Sequence, residues 1–588
     1  MKIQINKELS IDWKVEKIGV IGPGIVGMPM ASLLANSQIK IGTDKPAIVI
    51  VIQRDSRNSG WKVDAINKGK SVIGGIEPGL DKITSEVVSQ GLLRSSHDFI
   101  DISDADMILI SIQTDKAGYA PDYGPLMSGL KSLAEALKRK PAHKIPVIVF
   151  ESTLAPSTMA TVIKDYFAKY GLIEGKDILL GNSPNRVMPG RLVERVTDSD
   201  KLVAGLHPET PKMIKHVYRH IVTKGELHET NSMTAEVVKT LENAYRDVRI
   251  AFSSEIVRYC DANNIDFYQV RNKVNQLLAQ TDLANENPNE VPSGGILIPT
   301  LGVGGHCLPK DGILLWWRKL EKSKKDPLSL ILESRIINNQ SPLHTFQQAE
   351  KELGNLNNKK IALLGVAYRF NSEDTRNSPT LVLADFLKNN KFNFIMHDPY
   401  VKWDDQNLVK YEQQDYFTND LGLAINDANI IVMCTAHKEY IDHIDKISSG
   451  IRLEMIWDTC NIYNREQFRN KNILYGGIGR GTAQPEENFI HFVYNSFRTM
   501  EKGVANELFS LIEFYNNEYA FNEFNKVEYN EVRRLAKTCS TGCEITEPDV
   551  ITYLSVYKGF SSQLSKISFE MSQAFKKGNL NEISNLMI

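Results

Sequence analysis

The residues best suited to chemistry in this chain stand together in Gly302-Val303-Gly304-Gly305-His306-Cys307-Leu308-Pro309-Lys310-Asp311. A cysteine follows three glycines and precedes an aspartate by four positions. Glycines let the backbone turn tightly and let a ligand approach it, and Pro309 fixes the turn after the thiol. A thiolate presented on such a loop is a nucleophile. A cysteine in a glycine-rich turn can equally be a small packed side chain, so the stretch is weighed by its company. His306 beside Cys307 does not make a dyad, because adjacent loop residues rarely face each other.

The elements that must position these residues begin at Lys17-Ile18-Gly19-Val20-Ile21, an apolar strand pattern that runs into Gly22-Pro23-Gly24-Ile25-Val26-Gly27 and a helical MPMASLLAN. GxGxxG between a strand and a helix is the dinucleotide fingerprint. Gly22 makes the tight turn, Gly24 admits the pyrophosphate, and Gly27 permits close helix–strand contact, while the N–H groups at Ile25, Val26 and Gly27 open the helix toward the anion. The next strand, Ala47 to Ile52, ends at Gln53-Arg54-Asp55. Gln53 or Asp55 suits the ribose hydroxyls and Arg54 suits a 2′-phosphate. NAD is the expected cofactor, with NADP open.

Further strands end at Gln113-Thr114-Asp115 and at Glu151-Ser152-Thr153, and a strand at Ile178 to Leu180 leads into the turn-rich Asn182-Ser183-Pro184-Asn185-Arg186. Ligands of open α/β sheets bind outside the carboxyl ends of strands, which makes these polar ends site candidates; ordinary turn chemistry is the plainer account of each. From Asn231 a long run without Gly or Pro reads as one central helix, with Lys239 and Asn243 on a shared face. A Pro/Gly-rich stretch from Asn287 to Thr300 leads to the cysteine loop. A second strand-first α/β unit starts at Lys360 and ends near Gly481 without a GxGxxG, and from Thr482 the chain reads as helices with no evident chemistry. His397 in its HDP turn reads as structural.

Composition sets the bounds. Hydrophobic residues at 42% and charged residues at 24% are ordinary for a soluble globular protein, and 588 residues suggest three or four domains. A net charge of -2 gives no support to a nucleic-acid partner. The six cysteines are scattered without a CxxC pair, which points to a reducing compartment. Cys539 and Cys543 lack the further ligands a zinc site needs, so no metal is expected. There is no signal-peptide core and no apolar run of membrane-spanning length. A cytoplasmic protein with no membrane partner is expected.

Taken together, GPGIVG, Ser152-Thr153-Leu154-Ala155-Pro156, AEVVKTLEN, Gly302 to Asp311 and LGVAYRFNSEDTRNSP resemble, in order, the motifs of the UDP-glucose/GDP-mannose dehydrogenase family, over roughly Lys17 to Gly481. SPNRVMPG is more similar to the SPERVLPG of the N-acetylhexosamine enzymes than to the NPEFLREG of the UDP-glucose enzymes. The resemblance implies an α/β fold of two doubly wound Rossmann-like domains joined by a long central helix, plus a C-terminal helical extension. The implied boundaries are 1–228 for the NAD-binding domain, 229–345 for the central helical domain with the cysteine loop, 346–481 for the nucleotide-sugar domain, and 482–588 for the extension.

The implied reaction is double oxidation of a sugar C6 alcohol to a carboxylate with NAD, on a UDP-sugar, UDP-N-acetylhexosamine being preferred. The implied assembly is a homodimer or higher homo-oligomer. In that reaction Cys307 forms a thiohemiacetal and then a thioester, and Lys239 stabilises the oxyanion. Asn243 fixes Lys239 and a water, Asp311 is the base and Thr153 holds the hydrolytic water. Gly22, Gly24, Ile25, Val26, Gly27, Gln53, Arg54, Thr114 and Thr153 would serve the cofactor. Asn185, Arg186, Lys239, Asn243, Gly304, Arg369, Arg376 and Arg480 would serve the substrate. Departures accompany this: Asn185 stands where relatives have Glu, with Glu151 a candidate substitute, and Arg369 stands where they have lysine. No arginine lies between Asn287 and Gly302, where relatives place one. The rivals are a UDP-glucose dehydrogenase, an enzyme that stops after one oxidation, and a nucleotide-sugar-binding protein without turnover.

Overall fold

The computed structural model describes residues 2–5, 10–187, 189–282, 291, 293–323, 329–354, 356, 358–539 and 542–548. Part of the Pro/Gly-rich stretch before the cysteine loop, and the helical expectation for the chain beyond residue 548, lie outside them. The chain forms two compact units. The first comprises Met1–Glu242, Ile313–Lys322 and Leu511–Thr541; the second comprises Asn243–Gly312, Ser323–Ser510 and the chain from Gly542 on.

The first unit is built on an eight-stranded sheet. Its strands run, side by side, Leu227–Asn231, Lys201–Gly205, Leu179–Asn182, Val147–Phe150, Met107–Ile110, Lys17–Ile21, Ile48–Ile52 and Leu93–Ser96. All neighbours pair parallel except Leu179–Asn182 with Lys201–Gly205. The apolar strands predicted from sequence are buried on both faces, as parallel strands covered by helices must be. Strand order reverses beside Lys17–Ile21, and such a switch point opens a crevice at the carboxyl ends of the central strands.

The second unit holds a six-stranded, all-parallel sheet in the order Phe417–Thr418, Asn393–His397, Lys360–Leu364, Ile430–Met433, Met455–Asp458 and Leu474–Gly477. This is the same doubly wound order. His397 is fully buried against the Tyr440 hydroxyl at 2.9 Å, which is a structural role.

The central helix is Ser232–Ala262, uninterrupted over 31 residues. After the last strand of the second sheet the chain continues into helices Glu487–Tyr519 and Tyr529–Lys537. Among the described residues no helix is long and apolar enough to cross a membrane.

Two buried carboxyls, Glu174 and Glu236, make the first unit sensitive to pH, burial pushing each up to about 8. Glu174 is raised even though its Oε2 accepts the Leu180 N–H at 2.7 Å. Its other oxygen is buried without a partner. An unfolded glutamate ionises near about 4.3, so between there and about 8 the folded state holds a proton that the unfolded chain releases. Stability therefore falls as pH rises through that window. Urea midpoints measured from pH 5 to 8 are expected to decline, and Glu174→Gln, which keeps the Leu180 bond, is expected to make the decline shallower, the remainder belonging to Glu236.

Candidate active site

In the first unit the glycine loop has the shape the fingerprint requires. Gly22 sits at φ +90° with its N–H on the Ile52 carbonyl at 3.0 Å, a conformation L side chains rarely adopt. A Cβ on Gly27 would lie 2.2 Å from the Gly22 carbonyl oxygen, whereas a Cβ on Gly24 would meet nothing within 4 Å. Val26 precedes helix Gly27–Asn36, and no side chain caps that helix start. A tight turn, an open face at Gly24 and uncapped N–H groups beside Ile25 and Val26 fit a dinucleotide pyrophosphate. Gly24→Ala is expected to leave thermal stability near wild type and to weaken NADH binding about tenfold or more. Gly27→Ala is expected to destabilise by about 1–3 kcal/mol through overpacking. Calorimetry and NADH fluorescence titration separate the two.

At the neighbouring strand end, the Gln53 amide donates to Ser59 Oγ at 2.9 Å and to the Arg54 carbonyl at 3.2 Å, with Arg54 and Asp55 exposed beside it. The structure brings Thr114 and Thr153 together: the buried Thr114 hydroxyl donates to the Thr153 carbonyl at 2.7 Å.

Glu151, the candidate substitute for the family Glu, sits at the centre of a bonded cluster. It is buried and its carboxylate accepts three bonds, from Lys201 Nζ at 2.7 Å, from the Tyr218 hydroxyl, and from Asn185 Nδ2 at 3.1 Å. Burial lowers Lys201, against the pull of Glu151, and raises Tyr218 well above the usual phenol range. Asn185 is thus a clamp on this cluster, its Oδ1 accepting the Val187 N–H at 3.0 Å. Arg186 commits four N–H bonds to protein: Glu242 Oε1 at 2.5 Å, Thr538 Oγ1 at 2.8 Å, and the carbonyls of Leu535 at 3.2 Å and Asp200 at 3.3 Å. Lys239 is buried on the central helix, close enough to Lys201 for its charge to act there.

Sequence reasoning passed over Glu236, one turn before Lys239. Its carboxylate accepts the N–H groups of Ser157 and Met159, both at 2.8 Å, just after the Thr153 loop. Ser157 stands at φ +76°, which is unusual for a residue other than glycine. The Arg318 Nε bond to its hydroxyl at 3.1 Å helps hold it there. The available signal was the Glu inside AEVVK.

In the second unit Cys307 is exposed and directly precedes helix Leu308–Lys322. Its carbonyl accepts the N–H groups of Lys310 at 3.1 Å and Asp311 at 3.0 Å, so the thiol stands at the start of the helix, where the backbone dipole favours an anion. Asp311, one turn on, is fully buried. One oxygen takes Asn243 Nδ2 at 2.6 Å and the other takes the buried Lys310 Nζ at 2.9 Å. The loop itself is seated on Tyr368, a residue sequence reasoning did not single out. A Cβ on Gly304 would lie 2.4 Å from Tyr368 Cβ, and the Gly305 N–H donates to the Arg376 carbonyl at 2.8 Å. Burial and Asp374 push the Tyr368 phenol up to about 12, and both Tyr368 and Arg376 lie within electrostatic reach of Cys307.

Arg376 pairs with Asp374 at 2.5 Å. Arg369 packs 5.6 Å from the Phe370 ring and has no hydrogen-bond partner among the described residues. Arg480 is bonded to the Tyr463 carbonyl at 2.8 Å and the Tyr475 hydroxyl at 3.0 Å.

These arrangements agree with what the chain is similar to. Residues 16–222 match the NAD binding domain of the UDP-glucose/GDP-mannose dehydrogenase family, residues 233–340 its central domain and residues 362–465 its UDP binding domain. The UDP-N-acetyl-D-mannosamine dehydrogenase of Pyrococcus horikoshii is 31% identical over 470 residues, spanning 79% of this chain and 99% of that protein. The chain belongs to the UDP-glucose/GDP-mannose dehydrogenase family. The Campylobacter jejuni UDP-N-acetyl-D-mannosamine dehydrogenase is 28% identical over 74% of this chain and 98% of its own length. The crystal structure of NDP-N-acetyl-D-galactosaminuronic acid dehydrogenase from Methanosarcina mazei superposes with a TM-score of 0.65 at 30% identity, covering 79% of this chain and 96% of that one. As a family member the chain is an NAD-dependent oxidoreductase of UDP-sugars.

Proposed function

We propose that this protein oxidises the C6 alcohol of a UDP-N-acetylhexosamine to a carboxylate in two steps through Cys307. The observation that carries the route is the exposed thiol at a helix start, with a buried, doubly bonded Asp311 one turn behind it. When bound, NAD+ takes up the hydride released at each oxidation. Asp311, held by Asn243 and Lys310, accepts the proton of the C6 hydroxyl as the aldehyde forms. Cys307 then adds to the aldehyde carbon, forming a C–S bond, and Lys239 stabilises the resulting oxyanion. Loss of the second hydride from that carbon leaves a thioester. Water positioned by Thr153 breaks the C–S bond, releasing the carboxylate and returning the thiol. One alcohol, two NAD+ and one water thus give one carboxylate, two NADH and three protons.

The preference for an N-acetylhexosamine rests on SPNRVMPG and on the two relatives named for UDP-N-acetyl-D-mannosamine. Arg369, Arg376 and Arg480 are proposed to serve the UDP half, beside the Gly304 backbone. Gln53 and Arg54 are proposed to face the cofactor ribose. The division of labour we propose follows the boundaries 1–228, 229–345, 346–481 and 482–588, and the working form is proposed to be a cytoplasmic homo-oligomer.

The test is NADH formed per sugar consumed across UDP-hexoses and UDP-N-acetylhexosamines. Two NADH per UDP-N-acetylhexosamine is expected. One per sugar would show that oxidation stops early, and preference for UDP-glucose would move the substrate to the plain hexose.

A further inference from the structure

The C-terminal helices lie beyond residue 465, where the family match ends. The Pyrococcus horikoshii relative is matched over 99% of its length by 79% of this chain, so about a fifth of this chain has no counterpart there. The segment beyond the matched domains is bonded into the first unit at specific polar points. Asn516 and Val527 exchange two bonds, at 2.9 and 2.8 Å, fixing the chain as it leaves the long helix. Asn231, beside the start of the central helix, donates to the Lys526 carbonyl at 2.7 Å, and Thr230 donates to Glu531 at 2.8 Å. Helix Tyr529–Lys537 buries Tyr529, Val532, Leu535 and Ala536.

The end of that helix meets Arg186. The Thr538 hydroxyl donates to the Leu535 carbonyl at 2.7 Å and accepts from Arg186 at 2.8 Å, while Leu535 also accepts from Arg186. A guanidinium at a helix C-terminus satisfies carbonyls the helix leaves open and opposes the negative end of its dipole. The same guanidinium reaches Glu242, the neighbour of Asn243, and belongs to the turn that carries Asn185.

We propose that residues 526–538 are a built-in brace that fixes Arg186, and through it both the Ser183–Val187 turn and the Glu242 turn of the central helix, for the dehydrogenase reaction. Arg186 is a positioning residue in this scheme. Its planar fork holds two elements at once, which a lysine would not do.

The inference rests on the dehydrogenase reading for its kinetic arm, and amide hydrogen exchange tests it without turnover. Thr538→Val removes the hydroxyl, and Thr538→Ser restores it. In the full chain, Thr538→Val is expected to speed exchange at 183–187 and 236–242. It should lower kcat about threefold to tenfold, leaving the Kd for NADH and the melting temperature near wild type. Thr538→Ser is expected to behave as wild type. A chain ending at Asn525 is expected to lose at least about tenfold in kcat, recovered by adding a peptide of residues 526–548. Wild-type exchange and kcat in Thr538→Val would overturn the proposal, whether or not the shortened chain folds. Equal defects in the Val and Ser variants would also overturn it. If no UDP-sugar is turned over by the wild type, the functional reading fails while the exchange data still decide the brace.

Discussion

Cys307→Ala is expected to abolish steady-state NADH formation, lowering kcat by at least about a thousandfold. The reason is specific to the second oxidation. An aldehyde carbon must become tetrahedral before it can give up a hydride, and Cys307 is the nucleophile placed to make it so. Because the thiol is exposed, its loss should leave the melting temperature within about a degree of wild type, as surface substitutions do. NADH binding, which depends on the Gly22–Gly27 loop, should also be unchanged. Single-turnover measurement sharpens the result, since the variant should make at most one NADH per bound sugar. Two NADH per sugar from Cys307→Ala would sink the thioester route.

The second large effect is on stability. Lys201→Ala is expected to destabilise the protein by about 3–5 kcal/mol, because it strands a buried carboxylate. The Lys201 and Glu151 side chains are 8% and 0% exposed, so water cannot replace the lost partner. Tyr218 and Asn185 remain bonded to Glu151, yet neither carries the compensating charge. Lys201 Nζ also donates to the Ser183 carbonyl at 3.1 Å, so the turn bearing Asn185 and Arg186 loosens with it. The double variant Glu151→Gln with Lys201→Met removes both charges and should recover most of the loss. Urea unfolding of wild type, Glu151→Gln, Lys201→Met and the double variant gives the coupling directly. A Lys201→Ala midpoint equal to wild type would mean that the Lys201 charge does little to hold this cluster together.

Local features of this chain were legible and distant pairings were not. The glycine loop, the buried strands and the central helix follow from periodicity and glycine spacing, which record what each residue's immediate backbone must do. The four-residue spacing of Cys307 and Asp311 was legible, but the helix Leu308–Lys322 that sets them one turn apart was not; the shared face of Lys239 and Asn243 followed from helical geometry. The Asn243–Asp311 bond joins residues 68 positions apart, and the Glu151–Lys201 bond residues 50 apart. No periodicity encodes such a choice of partner. Nothing in the sequence around Glu151 therefore shows its bonds to Lys201, Tyr218 and Asn185. Arg186 presents the same difficulty at longer range, since its partner Thr538 is 352 positions away in a segment whose composition carries no chemical signal. Tyr368 was hidden differently: it lies inside a quoted motif, but an aromatic there reads as core until the glycines packed on it are seen.

The way the chain alternates between its two units governs how it can be made. The first unit includes the segments Ile313–Lys322 and Leu511–Thr541 as well as the N-terminal 242 residues. A ribosome releases the nucleotide-binding sheet early, but Ile313–Lys322 and Leu511–Thr541, which complete its unit, emerge only about 70 and about 270 residues after Glu242. The growing polypeptide must carry a partly covered surface until Leu511–Thr541 is made, at about 5–20 residues per second. Nascent chains of this enzyme should therefore depend more on chaperones than those of shorter relatives, and stalling before residue 511 should leave an aggregation-prone product.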